Sequence, residues 1–204
     1  MNKRLLELWP EITNSQKQLL KLYTNNTPNL KILSRGANGV VYINKKTGKA
    51  FKFSLRSNSV NKNEYNIAKY IYNKTPGNKF VPKMHGFYEN PSVGSLTVMN
   101  YINGTTLGNY KVTNESKKNL KEQFERIQKQ LKNMGIVHGD LHGGNIIIRK
   151  NGKMFLIDFG RSKKNSTNVN RPKPNVMQKL FNKTMHNLAQ EKLQARLAAR
   201  AKAS

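Results

Sequence analysis

Cysteine is absent from the 204 residues, so the chain has neither a disulfide framework nor a thiolate metal site. Acidic residues are scarce, 10 against 37 Lys and Arg, and only two of them, Asp140 and Asp158, are aspartates. Where turns would ordinarily use aspartate, this chain uses asparagine. No apolar run approaches the length of a membrane span or a secretory signal, which leads to the expectation of a soluble intracellular protein. What is abundant is positive charge. A net charge of +27 calls for an anionic partner, whether nucleic acid, an acidic protein or a membrane surface, although an AT-rich genome would also enrich Lys and Asn.

The two aspartates bracket the most organised stretch of the chain. It opens Val137-His138-Gly139-Asp140-Leu141-His142-Gly143-Gly144-Asn145, continues through Ile146-Ile147-Ile148, Asn151-Gly152 and Phe155-Leu156-Ile157, and closes Asp158-Phe159-Gly160. Asp140 precedes Asn145 by five positions. One short loop can therefore aim both side chains into one cleft, the carboxylate toward an attacking hydroxyl and the amide oxygen toward a metal. The apolar runs on either side of Asn151-Gly152 read as a hairpin, with that dipeptide supplying positive φ at both centres of a two-residue turn. Such a hairpin returns the chain and delivers Asp158 beside Asn145. Two oxygen ligands and a free carboxylate suit phosphoryl transfer, in which positioning and charge neutralisation supply most of the catalysis. With no Cys and no His pair at ligand spacing, these hard oxygens suit Mg²⁺ or Mn²⁺ rather than Zn²⁺.

His-Gly-Asp-Leu-x-x-x-Asn followed by Asp-Phe-Gly resembles the core signature of the protein-kinase-like superfamily. The resemblance implies a two-lobed α+β fold, with a small antiparallel-sheet N-lobe and a truncated helical C-lobe, and the use of ATP with Mg²⁺ or Mn²⁺. It assigns Asp140 as the catalytic base and Asn145 and Asp158 as the metal ligands. Upstream, Ile32 to Tyr42 reads as strand, glycine-containing turn and strand, in which glycines let backbone amides approach phosphates. This segment is similar to a kinase nucleotide loop and implies nucleotide contacts from Ser34, which replaces the family's first glycine, and from Gly36, Gly39 and Val41. Ala50-Phe51-Lys52-Phe53 resembles the strand that carries the phosphate-clamping lysine, Lys52, and the period of two turns Lys52 away from both rings. Its expected partner is Glu64, the only acidic residue between Lys52 and Tyr88. Leu96 to Ile102 resembles a kinase hinge, whose main chain would pair the adenine edge at Met99 and Tyr101. Ile147 and Ile157 complete the implied nucleotide contacts.

The remainder of the chain is organised around this core. Residues 1–28 read as an N-terminal extension of two short helices separated by Pro10, 29–101 as the N-lobe, 102–165 as a minimal C-lobe and 166–204 as a basic, mostly helical tail. From Glu115 to Met134 the residues Leu120, Phe124, Ile127 and Leu131 recur at helical spacing and Gly135 follows as a stop. After Gly160 there is no Ala-Pro-Glu, and residues 161–204 carry eleven Lys and Arg against Glu191 alone. The stretch from Val176 to Lys202 reads as a helix that covers the second lobe or offers a basic face to nucleic acid or another polyanion.

The short second lobe, together with Gly139 where regulated kinases carry Arg, is similar to the minimal kinases of the RIO group and the KEOPS complex. His142 resembles instead the aminoglycoside and choline phosphotransferases, which recognise small substrates with a large helical insertion. Only 33 positions lie between Gly104 and His138, room for a single helix and its loops. The expectation is a compact serine/threonine kinase acting on a protein substrate. A small-molecule phosphotransferase and a basic ATP-binding scaffold without turnover are the alternatives.

Overall fold

The computed structural model describes residues 30–36, 39–54, 59–90 and 94–164. The helices expected within 1–28 and 176–202 lie outside these residues, as do Ala37 and Asn38 of the glycine turn. The described residues fall into two compact units. One runs to Ile102 and also holds Asp158–Ser162; the other holds Asn103–Ile157 and resumes at Lys163. No helix among the described residues is long and apolar enough to cross a membrane.

The first unit is a five-stranded antiparallel sheet. Its strands are β1 (Leu30–Gly36), β2 (Gly39–Asn44), β3 (Lys49–Ser54), β4 (Met84–Asn90) and β5 (Gly94–Asn100), in the spatial order β1-β2-β3-β5-β4. Alternation sorts their side chains onto two faces. Leu30, Val40, Tyr42, Phe51, Phe53, Leu96 and Val98 form one buried apolar cluster, with the Tyr42 and Phe53 rings edge-on at 6.3 Å. The intervening residues occupy the other face, where Ser34 opposes Val41, Val41 opposes Lys52 and Lys52 opposes Thr97. A bulge between Ile32 and Ser34 sets this row, because without the extra residue Leu33 would stand opposite Val41.

Helix α1 (Ser59–Lys74) connects β3 to β4 and buries Asn61, Glu64, Ile67, Ala68 and Ile71, a stripe at three- and four-residue spacing. Two of those five are polar, which the apolar pattern alone would not place inside. Asn61 is satisfied by the Ser95 hydroxyl on β5 at 2.9 Å, so the start of α1 is tied to the sheet by a buried hydrogen bond.

The second unit contains α2 (Asn114–Asn133), the short strands β6 (Gly104–Thr106), β7 (Ile136–Val137), β8 (Ile146–Arg149), β9 (Met154–Leu156) and β10 (Lys163–Lys164), a sheet in the order β6-β8-β9 and a β10-β7 pair. Thr113 caps α2 through a reciprocal exchange with Ser116. The four expected apolar positions Leu120, Phe124, Ile127 and Leu131 are all buried, and Gly135 follows the helix at a φ of 66°. Gln123 ties α2 to the β8–β9 hairpin, donating to the Gly152 carbonyl and accepting from the Met154 amide, each at 2.9 Å.

The hairpin corrects one expectation. Only Gly152, at φ 77°, is left-handed; Asn151 is not. The Gly152 amide donates to the Arg149 carbonyl and the Arg149 amide to the Lys153 carbonyl, each at 2.9 Å, so the connection has three residues and closes on a left-handed glycine. The Asn151 side chain accepts from the Lys153 amide at 3.2 Å, a local bond that suits asparagine to the turn without a positive φ.

Candidate active site

In the first unit the site is built on β3, α1 and the 158–162 segment. Phe51 and Phe53 anchor β3 in the apolar cluster and leave Lys52 on the opposite face. Its Nζ lies 2.6 Å from Glu64 Oε2 and 3.4 Å from Asp158 Oδ1, the second of them 106 positions away in the chain, so two carboxylates share one ammonium group. Burial lowers the affinity of Lys52 for its proton, but the Glu64 and Asp158 carboxylates outweigh it and hold the lysine above its ordinary value. Glu64 is 6% exposed, and burial raises its carboxyl above the usual carboxylate value against the opposing pull of Lys52. The Asp158 main-chain amide adds a hydrogen bond to Glu64. Asp158 itself is 43% exposed and stands at φ 63°, ψ 64°.

The expected nucleotide contacts of this unit are brought together in part. Ser34, Val41, Lys52 and Met99 lie on one face of the sheet, by their register. Gly39, at φ 143°, could carry no side chain, since a Cβ there would fall 1.8 Å from the Phe53 carbonyl oxygen. Gly36 pairs with Gly39 at the ends of β1 and β2. The hinge differs from expectation. Met99 is built into the sheet between Ala50 and Met84, and the Tyr101 amide donates to the Gly48 carbonyl at 2.8 Å. The Met99 side chain is buried, and the Tyr101 amide is committed within the unit rather than open to a base edge.

In the second unit, β7 leads into the loop of Asp140. The His138 ring donates from Nε2 to the Ile157 carbonyl at 3.1 Å, and the Ile157 amide donates to the Asn145 carbonyl at 3.0 Å, so loop and hairpin end are cross-linked. The buried Asn145 donates from Nδ2 to the Asp140 carbonyl at 2.9 Å. An amide so committed turns its oxygen the other way. His142 caps the short 3-10 turn Gly143–Asn145 by accepting from the Gly144 amide at 3.1 Å through Nδ1. Ile147 alternates with the buried Ile146 and Ile148 and is half-buried, as is Ile157.

The profile of the ABC1 atypical kinase-like domain matches residues 17–192. The chain belongs to this family. Its fold is kinase-like, α+β, with an antiparallel-sheet N-lobe and few helices among the described residues. A protein of Dictyostelium discoideum named as a probable serine/threonine-protein kinase is 33% identical over an alignment of 147 positions that covers 66% of this chain and 31% of that protein. The chain thus spans about a third of that relative's length. The kinase PK-1 of Cydia pomonella granulovirus shares the fold with a TM-score of 0.58 at 19% identity, covering 78% of this chain and 61% of its own. WbdD does so with a TM-score of 0.56 at 16% identity, covering 76% and 37%.

In this ABC1 kinase-like chain the first unit presents a half-exposed carboxylate on Asp158 and the second the amide oxygen of Asn145, each a hard oxygen of the kind that suits Mg²⁺. Among the described residues no three His, Cys, Asp or Glu side chains converge on one point.

One side chain at the site escaped the sequence. Asn63, next to Glu64, donates from Nδ2 to the carbonyls of the segment that follows Asp158. Its trace in the sequence is three asparagines, Asn61, Asn63 and Asn66, in one helix, a residue type that does little for helix stability and here signals hydrogen-bonding work.

Proposed function

We propose that the chain is an ATP-dependent protein kinase that transfers the γ-phosphoryl group to a Ser or Thr hydroxyl of a protein substrate. The observation that carries this reading is Lys52 held between Glu64 at 2.6 Å and Asp158 at 3.4 Å. A cation suited to α- and β-phosphates and a carboxylate suited to the metal are thereby presented side by side. In this reading Glu64 fixes the lysine, and Lys52 orients the phosphates. Asp158 and Asn145 hold Mg²⁺ or Mn²⁺, which when bound neutralises phosphate charge and polarises the transferred group. Asp140 accepts the hydroxyl proton at its carboxylate, while Asn145 braces the Asp140 carbonyl. Ser34, Gly36, Gly39, Val41, Met99, Tyr101, Ile147 and Ile157 contact the nucleotide.

The match to an atypical kinase family and to a kinase-named relative supports the reaction class. The likeness to the RIO and KEOPS kinases rests on the motif and on Gly139. A polyanion, nucleic acid foremost, is proposed as a further partner from the +27 charge and the basic residues after Gly160.

Phosphorylation assays with labelled ATP on protein and small-alcohol acceptors test the reading. Asp140→Ala should lose turnover and keep metal-dependent nucleotide binding, while Asp158→Ala should lose both. Asp140→Ala that phosphorylates as well as the parent would refute the assignment, and labelling of small alcohols alone would move the acceptor to the small-molecule class.

A further inference from the structure

Asn63 Nδ2 lies 2.8 Å from the Ser162 carbonyl oxygen, 3.0 Å from that of Gly160 and 3.4 Å from that of Phe159. Three acceptors within four consecutive residues converge on one amide group. On the same side of α1, Val60 packs so closely that a Cβ on Gly160 would fall 2.5 Å from its Cγ1. The residue immediately before this clasped stretch is Asp158, the one non-glycine residue of positive φ among those described. A side-chain-bearing residue keeps that conformation only where its surroundings hold it.

We infer that Asn63 is a positioning residue for the metal-binding carboxylate. By gripping the carbonyls of Phe159, Gly160 and Ser162 it fixes the turn after Asp158, and with it the left-handed backbone that turns the carboxylate to the Lys52 side. The inference rests on the reading of Asp158 as a metal ligand. Its chemistry is specific to a short neutral donor. Carbonyls only accept, so the clasp must donate, and an amide offers two hydrogens. A lysine there would add a second cation competing for Glu64 and Asp158. An aspartate would set a carboxylate against three carbonyl oxygens. Glu64, the next residue, meanwhile receives the Asp158 amide and Lys52, so adjacent positions of α1 hold both sides of the same turn.

The test is calorimetric titration of ATP into the full chain at graded Mg²⁺, for the parent, Asn63→Ala and Asn63→Asp. The parent should bind ATP more tightly with Mg²⁺. In Asn63→Ala the Mg²⁺ concentration for half of that gain should rise about 10-fold to 100-fold, the usual loss when a partner behind a metal ligand is removed, with metal-free ATP binding unchanged. Asn63→Asp should be worse. A variant that melts earlier but keeps the parent's Mg²⁺ dependence would reduce Asn63 to a helix-packing residue and overturn the inference alone. A parent indifferent to Mg²⁺ would instead overturn the metal reading beneath it. Should Asn63→Ala not fold, the side-chain amide resonance of Asn63 in the labelled parent decides. It should shift with the same Mg²⁺ midpoint as the calorimetric gain, and a resonance that does not move overturns the proposal.

Discussion

At Lys52 one buried ammonium serves two carboxylates, and the balance of burial against charge there gives the chain a pH signature. The lysine is held above its ordinary value of 10.5 by Glu64 and Asp158 despite its burial. A group whose folded value is raised contributes stability that is whole below its unfolded value and is lost as pH climbs through the folded one. The Lys52 share is therefore complete through neutral pH and fades only on the alkaline side, above the ordinary lysine value. Glu64, raised by burial, has its linked share below the carboxylate range and loses it as pH rises through its own folded value. Denaturant unfolding of the parent and of Lys52→Met across pH should give curves whose difference is flat at neutral pH and narrows in strong alkali. A difference that instead narrowed between pH values near neutrality would contradict the raised lysine. Removing one partner of such a buried pair should cost on the order of 3 kcal/mol, so Glu64→Gln should lower the unfolding midpoint markedly.

The β1–β2 hairpin and α1 show how much each element depends on close approach. Gly39 sits where a Cβ would meet the Phe53 carbonyl at 1.8 Å, and its φ of 143° is in addition unfavourable for a side chain. Gly48, in the β2–β3 turn, also has a positive φ, 65°, but open space around it. Gly48→Ala should therefore cost only the conformational penalty, about 1 kcal/mol. Gly39→Ala should cost that and a displacement of β3, about 1–3 kcal/mol more, and, on the proposed reading, should weaken nucleotide binding because Lys52 precedes Phe53 on that strand. Thermal melting of the two variants side by side checks this, and equal shifts would show that the strands do not pack as tightly as described. Helix α1 makes the complementary point. Its asparagines are poor helix formers, yet Asn61 reaches Ser95 and Asn63 reaches three carbonyls, so tertiary bonds and the burial of Ile67, Ala68 and Ile71 stabilise it where propensity does not.

For the whole molecule, the charge of +27 is the dominant property that no single site explains. Three of the ten acidic residues, Glu64, Asp158 and Asp140, stand at Lys52 and in the loop, while Glu89, Glu115, Glu122 and Glu125 are exposed and offset little of the positive charge. Binding to random-sequence nucleic acid should be measurable at low salt and should weaken by at least about tenfold between roughly 50 and 200 mM, as released counterions require. An affinity indifferent to salt, or none at low salt, would assign the Lys and Asn excess to composition alone.

The sequence by itself determined the kinase-like class of the fold and the order of the parts. Asp140, Asn145 and Asp158 stand at spacings that few other constraints would produce, Glu64 had no rival as the partner of Lys52, and Leu120 to Leu131 announced α2 by period. These are local or near-local signals: alternation, helical spacing, and short loops between charged groups. Only the tertiary structure decided the rest. That Ser34 and not Leu33 faces Val41 depends on a bulge, a property of strand pairing. That the Asn151-Gly152 turn has three residues depends on the register of β8 against β9. That the Tyr101 amide is taken by Gly48, and that Asn63 grips the turn after Asp158, depends on contacts across 53 and as many as 99 positions of chain. A hydrogen bond between such distant residues leaves no periodic trace in the sequence, because nothing but the folded backbone brings the donor to its acceptor.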